Sequence, residues 1–118
     1  MSWLQTPNLV MLQRFLDVDA MRQTLVTTNV ANVDTPGYHT RDVDFRGEMA
    51  RAMNGQGDDD TSPFVMPVRG LLARPDGNNV SLERESMLLA EVQLQFKTAT
   101  AILHAEFARI HTAIHEGQ

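Results

Sequence analysis

The chain has no cysteine, a single lysine, a single tyrosine and a single tryptophan in 118 residues. Without cysteine there are no disulfides and no thiolate metal ligands. Lys97 and nine scattered arginines stand against a formal net charge of −5, so no basic patch exists to displace counterions from phosphate. Nucleic acid is thereby excluded as a partner. No stretch approaches the roughly 18 apolar residues of a membrane-spanning helix, so direct membrane insertion is not expected. Aromatic residues make up only 6% of a chain that is 42% hydrophobic, which leaves any core to Leu, Val, Met and Ala. The opening Met-Ser-Trp-Leu-Gln-Thr-Pro has no basic segment followed by an apolar one, and a cleaved Sec signal is not expected. A chain of this length predicts one small domain, 1–118.

What is present is helical periodicity at both ends. The first element is predicted over 6–33, with Thr6 as N-cap and Pro7 at the first helical position. Met11, Val18 and Leu25 recur every seven residues, with Leu4 one repeat earlier and Asn32 one later. Leu9, Val10, Leu12, Phe15 and Leu16 spread apolar surface most of the way around the first turns, more than one partner helix could cover.

The last element, 81–116, is more regular. Leu82, Leu89, Phe96, Leu103 and Ile110 keep strict seven-residue spacing. Val92, Ala99 and Ala113 fill companion positions, and Glu85 and Glu106 interrupt that second row. Such a period implies left-handed supercoiling against another helix. The helix would be roughly 50 Å long at its usual rise per residue. Ser81 is a suitable N-cap, and Glu83 and Glu85 suit the positive end of the dipole.

Residues 34–80 differ in kind. Phe45, Met49 and Met53 predict a short helix, and Phe64–Val68 a short extended segment that Pro67 confines to a sheet edge. Asn54 to Pro63 has the composition of a solvated loop, and Arg74-Pro75-Asp76-Gly77-Asn78-Asn79 is a strong turn signal. The implied fold is mainly α: two long terminal helices around an irregular middle with a short helix and extended and turn elements.

Groups that could carry chemistry are sparse. His111 and His115 have a spacing able to share a metal ion, but no cysteine or paired acid completes a four-ligand shell. Asp58-Asp59-Asp60 lacks the alternating ligands and terminal glutamate of a calcium loop. No nucleophile elbow and no glycine-rich phosphate loop occurs. The reading is therefore of a non-enzyme with no cofactor and no metal. Both terminal helices carry more apolar surface than an isolated hairpin could bury, so completion of that burial in an assembly is expected.

The densest signal lies where the first helix must stop. Pro36 disfavours helical dihedrals at Thr35, and Thr35-Pro36-Gly37-Tyr38 reads as a type II turn with Gly37 at positive φ. An ordinary helix stop accounts for Pro36 and Gly37 but not for the paired asparagines upstream. Their short amides could satisfy orphan groups of the last helical turn. The set Asn29, Ala31, Asn32, Thr35, Pro36, Gly37 and Tyr38 closely resembles the N-terminal signature of the axial proteins of the bacterial flagellum, the rod and hook family. Arg22-Gln23, Tyr38 to Phe45, Gly77 to Glu85 and the tail positions Gln93, Phe96, Leu103, Phe107, Ile110 and Ala113-Ile114 extend the resemblance to the basal-body rod proteins. Ser81 stands where that family more usually has aspartate.

This resemblance implies a structural subunit whose terminal helices pair as an antiparallel, coiled-coil-like hairpin. Met11, Val18, Leu25, Leu82, Leu89, Phe96, Leu103 and Ile110 would serve packing and assembly. Partners would be other rod subunits and the rod base near the membrane ring. Passage through the flagellar type III export apparatus would bring the chain to the periplasmic rod without a cleaved signal. The short length favours the proximal end of the rod, with another short rod subunit as the nearest alternative. A soluble helical-hairpin adaptor or chaperone is the competing class.

Overall fold

The structure, a computed structural model, describes residues 7–55 and 63–117. Its elements in chain order are α1 (Pro7–Ala31), β1 (Arg41–Val43), α2 (Phe45–Met53), β2 (Val65–Pro67) and α3 (Leu82–Glu116). Mainly helical, with long first and last helices and a small two-stranded sheet between them, it has the expected fold class. The predicted cap Thr6 and most of the predicted loop lie outside the described residues. Helix α1 stops at Ala31 rather than Val33. There the Asn32 N–H is shared between Thr28 O at 3.1 Å and Asn29 O at 3.2 Å, and Val33 N–H reaches only to Val30 O at 3.2 Å. The last turn has tightened to three-residue bonds, which cannot propagate an α-helix.

The turn that follows is closed by Tyr38 N–H donating to Thr35 O at 3.2 Å, with Gly37 at φ 75°. β1 and β2 pair antiparallel with Arg41 opposite Pro67 and Val43 opposite Val65. β1 is an element the sequence pattern did not announce, since three residues carry too little alternation to read. α2 is capped by Asp44, whose carboxylate accepts from Gly47 N–H at 3.2 Å. Ser81 caps α3 by accepting from Arg84 N–H at 3.3 Å.

Helix α1 is covered on two sides. Val18 and Leu25 join Val43 in the buried core, with Met21, Phe45 and Val65 packed around them. Phe15 and Phe45 meet edge to face at 5.2 Å, fastening α2 to the same helix. The other side of α1 packs on α3, where Val92 and Ala99 are 1% and 2% exposed. Inside the hairpin the buried line of α3 is thus Glu85, Val92 and Ala99, the row read from sequence as secondary. Leu82 and Phe96, read as its seam, are 52% and 48% exposed, and Leu89, Leu103 and Ile110 are half-buried. The small side chains of Val92 and Ala99 permit close approach to α1, which turns the bulkier row toward the flanks.

The outline is elongated, 68 × 26 × 18 Å. Its radius of gyration is 18.0 Å, against about 13.5 Å for a compact domain of this length. Accessible surface is 8163 Å², where a compact monomer of this mass would expose about 6,400 Å². Met87, Leu94, Phe96, Ile102, Phe107 and Ile114 contribute to it from α3 alone.

A Cβ at Gly37 would meet nothing within 4 Å, so the position requires glycine for its dihedral and not for space. Gly37→Val is expected to destabilise the purified chain by about 1–2 kcal/mol, the cost of a left-handed conformation for a branched residue. The urea midpoint checks this, and an unchanged midpoint would remove the turn assignment.

Candidate functional site: a buried polar clasp at the helix corner

Two of the motif residues, Asn29 and Tyr38, meet the segment before α3 in one buried polar cluster. Asn29 leaves α1 as a fully buried amide. Its Nδ2 donates to Arg41 O at 2.8 Å, and its Oδ1 accepts from Arg41 N–H at 3.1 Å. One side chain therefore pairs both backbone groups of a β1 residue, as a neighbouring strand would. Oδ1 also accepts from the Tyr38 hydroxyl at 2.8 Å. Nδ2 lies 3.3 Å from both carboxylate oxygens of Glu85.

Glu85 is the centre of the cluster and is wholly excluded from solvent. The Thr40 hydroxyl donates to its Oε1 at 2.6 Å, and Arg84 Nη1 donates to the same atom at 3.2 Å. Thr40 N–H in turn donates to Asn79 Oδ1 at 2.7 Å, while Asn79 N–H donates to Tyr38 O at 3.2 Å. A buried carboxylate is tolerable only with donors around it, and here they come from Asn29 of α1, Thr40 just before β1 and Arg84 of α3 itself. Burial raises the Tyr38 pKa; nearby Arg41 lowers it and Glu85 raises it.

A second layer joins the two turns. Asn78 Nδ2 donates to Asn32 O and Thr35 O, both at 2.8 Å, tying the turn after α1 to the segment before α3. Its Oδ1 accepts from Val80 N–H at 2.8 Å. Gly37 N–H donates to Asp76 O at 2.9 Å, and a Cβ at Gly77 would lie 3.4 Å from Gly37 Cα. Arg74 donates to Val80 O at 3.0 Å and also to Val33 O. The two glycine turns are stacked backbone on backbone.

Around the clasp runs an ionic strip. Asp42 of β1 accepts from Arg22 of α1 at 3.1 Å and from Arg84 of α3 at 3.4 Å. Farther along, Glu48 of α2 is buried between Arg14, at 2.5 Å, and Arg51, and accepts from Phe64 N–H at 2.9 Å. Burial would raise the Glu48 carboxyl, but the Phe64 amide and the two arginines outweigh it and hold the pKa below the ordinary range.

Of the seven motif positions, Asn29 and Tyr38 enter the clasp directly. Asn32 caps its own helix through Thr28 O at 2.8 Å and accepts from the Thr35 hydroxyl at 3.1 Å. Only this second asparagine does what the helix-end reading asked of both. Pro36 and Gly37 shape the turn, and Ala31 lies exposed at the helix end. Glu85, Thr40, Asn78 and Asn79 were missed as site residues. Glu85 had a signal: a charged residue in register with Val92 and Ala99 marks a buried polar contact in a helical seam. The rings of His111 and His115 lie 4.4 Å apart on α3, both residues exposed. Among the described residues, no group of three or more His, Cys, Asp or Glu converges, and no helix is long and apolar enough to cross a membrane.

A corner whose polar groups all serve to hold two long helices in one hairpin defines a structural element. No family model matches the chain. Among curated relatives, the flagellar basal body rod protein FlgB of Cereibacter sphaeroides is 34% identical over 105 residues, covering 79% of this chain and 82% of the relative. FlgB of Escherichia coli K12 is 28% identical over 126 residues, covering 89% and 91%. FlgB of Yersinia ruckeri is 29% identical over 125 residues, again covering 89% and 91%. The chain belongs to the FlgB family of flagellar basal body rod proteins. It is accordingly a structural subunit of the flagellar rod, and the relatives are named as rod proteins and not as enzymes.

Glu85→Ala leaves the Thr40 hydroxyl without its acceptor and the Asn29 amide with Arg41 O alone, and is expected to cost about 3 kcal/mol in urea denaturation. Asn29→Asp keeps the shape, removes the donor to Arg41 O and places a second carboxylate beside Glu85. Its penalty should be greater at pH 7 than at pH 4, where protonation relieves the repulsion.

Proposed function

We propose that this rod subunit assembles axially through the exposed faces of α1 and α3, as a single rod-type domain spanning 1–118, and that the assembled shaft transmits torque across the periplasm. The observation that carries this reading is the apolar surface left open along α3. Met87, Leu94, Phe96, Ile102, Phe107 and Ile114 all stand exposed on it, and contiguous apolar surface of this kind marks an interaction face. Neighbouring rod subunits would cover it, with rod-base and membrane-ring components at the inner end. Export through the flagellar type III apparatus without a cleaved signal belongs to the same proposal.

Stiffness follows from the same geometry. Long helices stacked side by side resist bending and twisting because each deformation must break many apolar contacts at once. The polar clasp would fix the angle between the helices before neighbours arrive. Leu82, Leu89, Phe96, Leu103 and Ile110 would then face neighbours more than they face α1, with Met11 completing the flank. Met11, Leu12, Phe15, Ala99 and Ile102 line a groove of about 370 Å³ between the helices, open to a neighbour's side chains.

The test separates folding from assembly. Phe96→Asp is expected to change the stability of the isolated chain by about 1 kcal/mol or less, because the ring is already half exposed. It should nevertheless abolish incorporation into detergent-purified basal bodies and stop swimming. Val92→Asp should instead cost about 3 kcal/mol or more in the isolated chain, by placing a charge in the buried line. Wild-type incorporation of Phe96→Asp would remove α3's outer face from the assembly.

A further inference from the structure

Three acidic side chains are almost entirely buried against α1: Glu85, Glu48 and Asp19. Glu85 and Glu48 are surrounded by donors. Asp19, midway along α1 and fully excluded from solvent, has none: both carboxylate oxygens lack a hydrogen-bond partner among the described residues. A second buried acceptor is equally unserved, Oε1 of Gln95 on α3. The Gln95 amide nitrogen donates to Glu91 at 3.4 Å, which leaves its oxygen as the buried end.

The hairpin register brings these two groups to one level. Asn29 meets Glu85 at 3.3 Å and Arg22 approaches Glu91 at 3.9 Å, so each step toward the N-terminus of α1 is matched by a step toward the C-terminus of α3. Moving from Arg22 to Asp19 and from Glu91 to Gln95 is about one further helical turn on each side. The charged groups around Asp19 are already occupied. Arg22, on its own helix, is held by Asp42 of β1 at 3.1 Å and lies near Glu91. Glu91, on α3, is the other charge that acts on Asp19.

We propose that Asp19 and Gln95 form a proton-operated latch in the α1–α3 seam. A proton on Asp19 supplies the one donor that two facing acceptors lack, and its loss leaves a bare carboxylate opposite a carbonyl oxygen and loosens the helices. The electrostatics run the same way. Burial pushes the Asp19 pKa from 3.8 up to about 6, Arg22 opposing and Glu91 assisting. The closed hairpin therefore binds a proton that the open chain has already released between about pH 4 and 6. Its stabilisation is complete at the acid end of that window and is lost as pH rises through it. This is opposite in direction to Glu48, whose lowered pKa favours the fold above the ordinary carboxylate range.

The test uses the full chain. The Asp19 carboxyl carbon should titrate by NMR with a midpoint near 6, where a midpoint near 4 overturns the proposal. Hydrogen exchange of the seam amides, corrected for the intrinsic pH dependence, should show local opening about tenfold more frequent at pH 7 than at pH 5. Asp19→Asn should abolish that ratio; the same ratio in the variant overturns the latch. Gln95→Glu tests the facing geometry independently, since a second carboxylate at this level should move the Asp19 midpoint upward. An unmoved midpoint overturns the pairing.

Discussion

A carboxylate withdrawn from water must find donors to replace its hydration, and this requirement at Glu85 organises the molecule. The donors that reach it come from Asn29 near the end of α1, Thr40 beside β1 and Arg84 at the start of α3. Arg84 is its neighbour in sequence, but Asn29 and Thr40 reach it only when the turn, the strand and both helices are in place. Directional polar bonds thus set the corner that apolar contacts alone would leave free to slide. Each helix could rotate or shift against the other at little cost in buried area, but not without stranding Glu85.

This divides the work between two kinds of surface. Polar bonds converge at one end of the hairpin, where Asn78 and Asn79 bind the two turns together and the ionic strip of Arg22, Asp42 and Arg84 ties three elements. Apolar side chains are distributed along the length, with only part of them closed by α1, the sheet and α2. A rod subunit built this way carries its own geometry in the corner and, in the proposed assembly, would leave its open apolar surface to neighbours. In the proposed assembly the neighbours would therefore add burial without having to define the hairpin angle.

The long elements were legible because periodicity over many turns averages out local exceptions. Both terminal helices, the short helix over Phe45–Met53 and the glycine turn follow from pattern and from the stereochemistry of proline and glycine. Side-chain partnership was not legible in the same way. The row Leu82, Leu89, Phe96, Leu103 and Ile110 looks like the seam because it is the more apolar. Inside the hairpin, close approach favours Val92 and Ala99 over larger side chains, and the charged residue in register with them is the one most deeply buried. Asn29 illustrates the second difficulty. Its spacing fits a helix cap, yet its amide reaches twelve residues on to serve as an edge strand for Arg41. Long-range hydrogen bonds of this sort leave no periodic trace.

The three buried acids show how the same chemistry serves different ends according to its donors. Glu48 and Glu85 are each met by donors from several elements, so each ties those elements together. Asp19 lies between them along α1 with none, beside Val18 and Met21 of the core. A hairpin fastened at both of those points but carrying an unserved acceptor between them is not uniformly rigid. Opening there disturbs neither the Glu85 corner nor the Glu48 contact, because neither shares a hydrogen bond with Asp19. The fold thus separates a fixed corner from a seam that, in the proposed latch, one proton tightens, and the apolar surface proposed to meet neighbours would run along that seam.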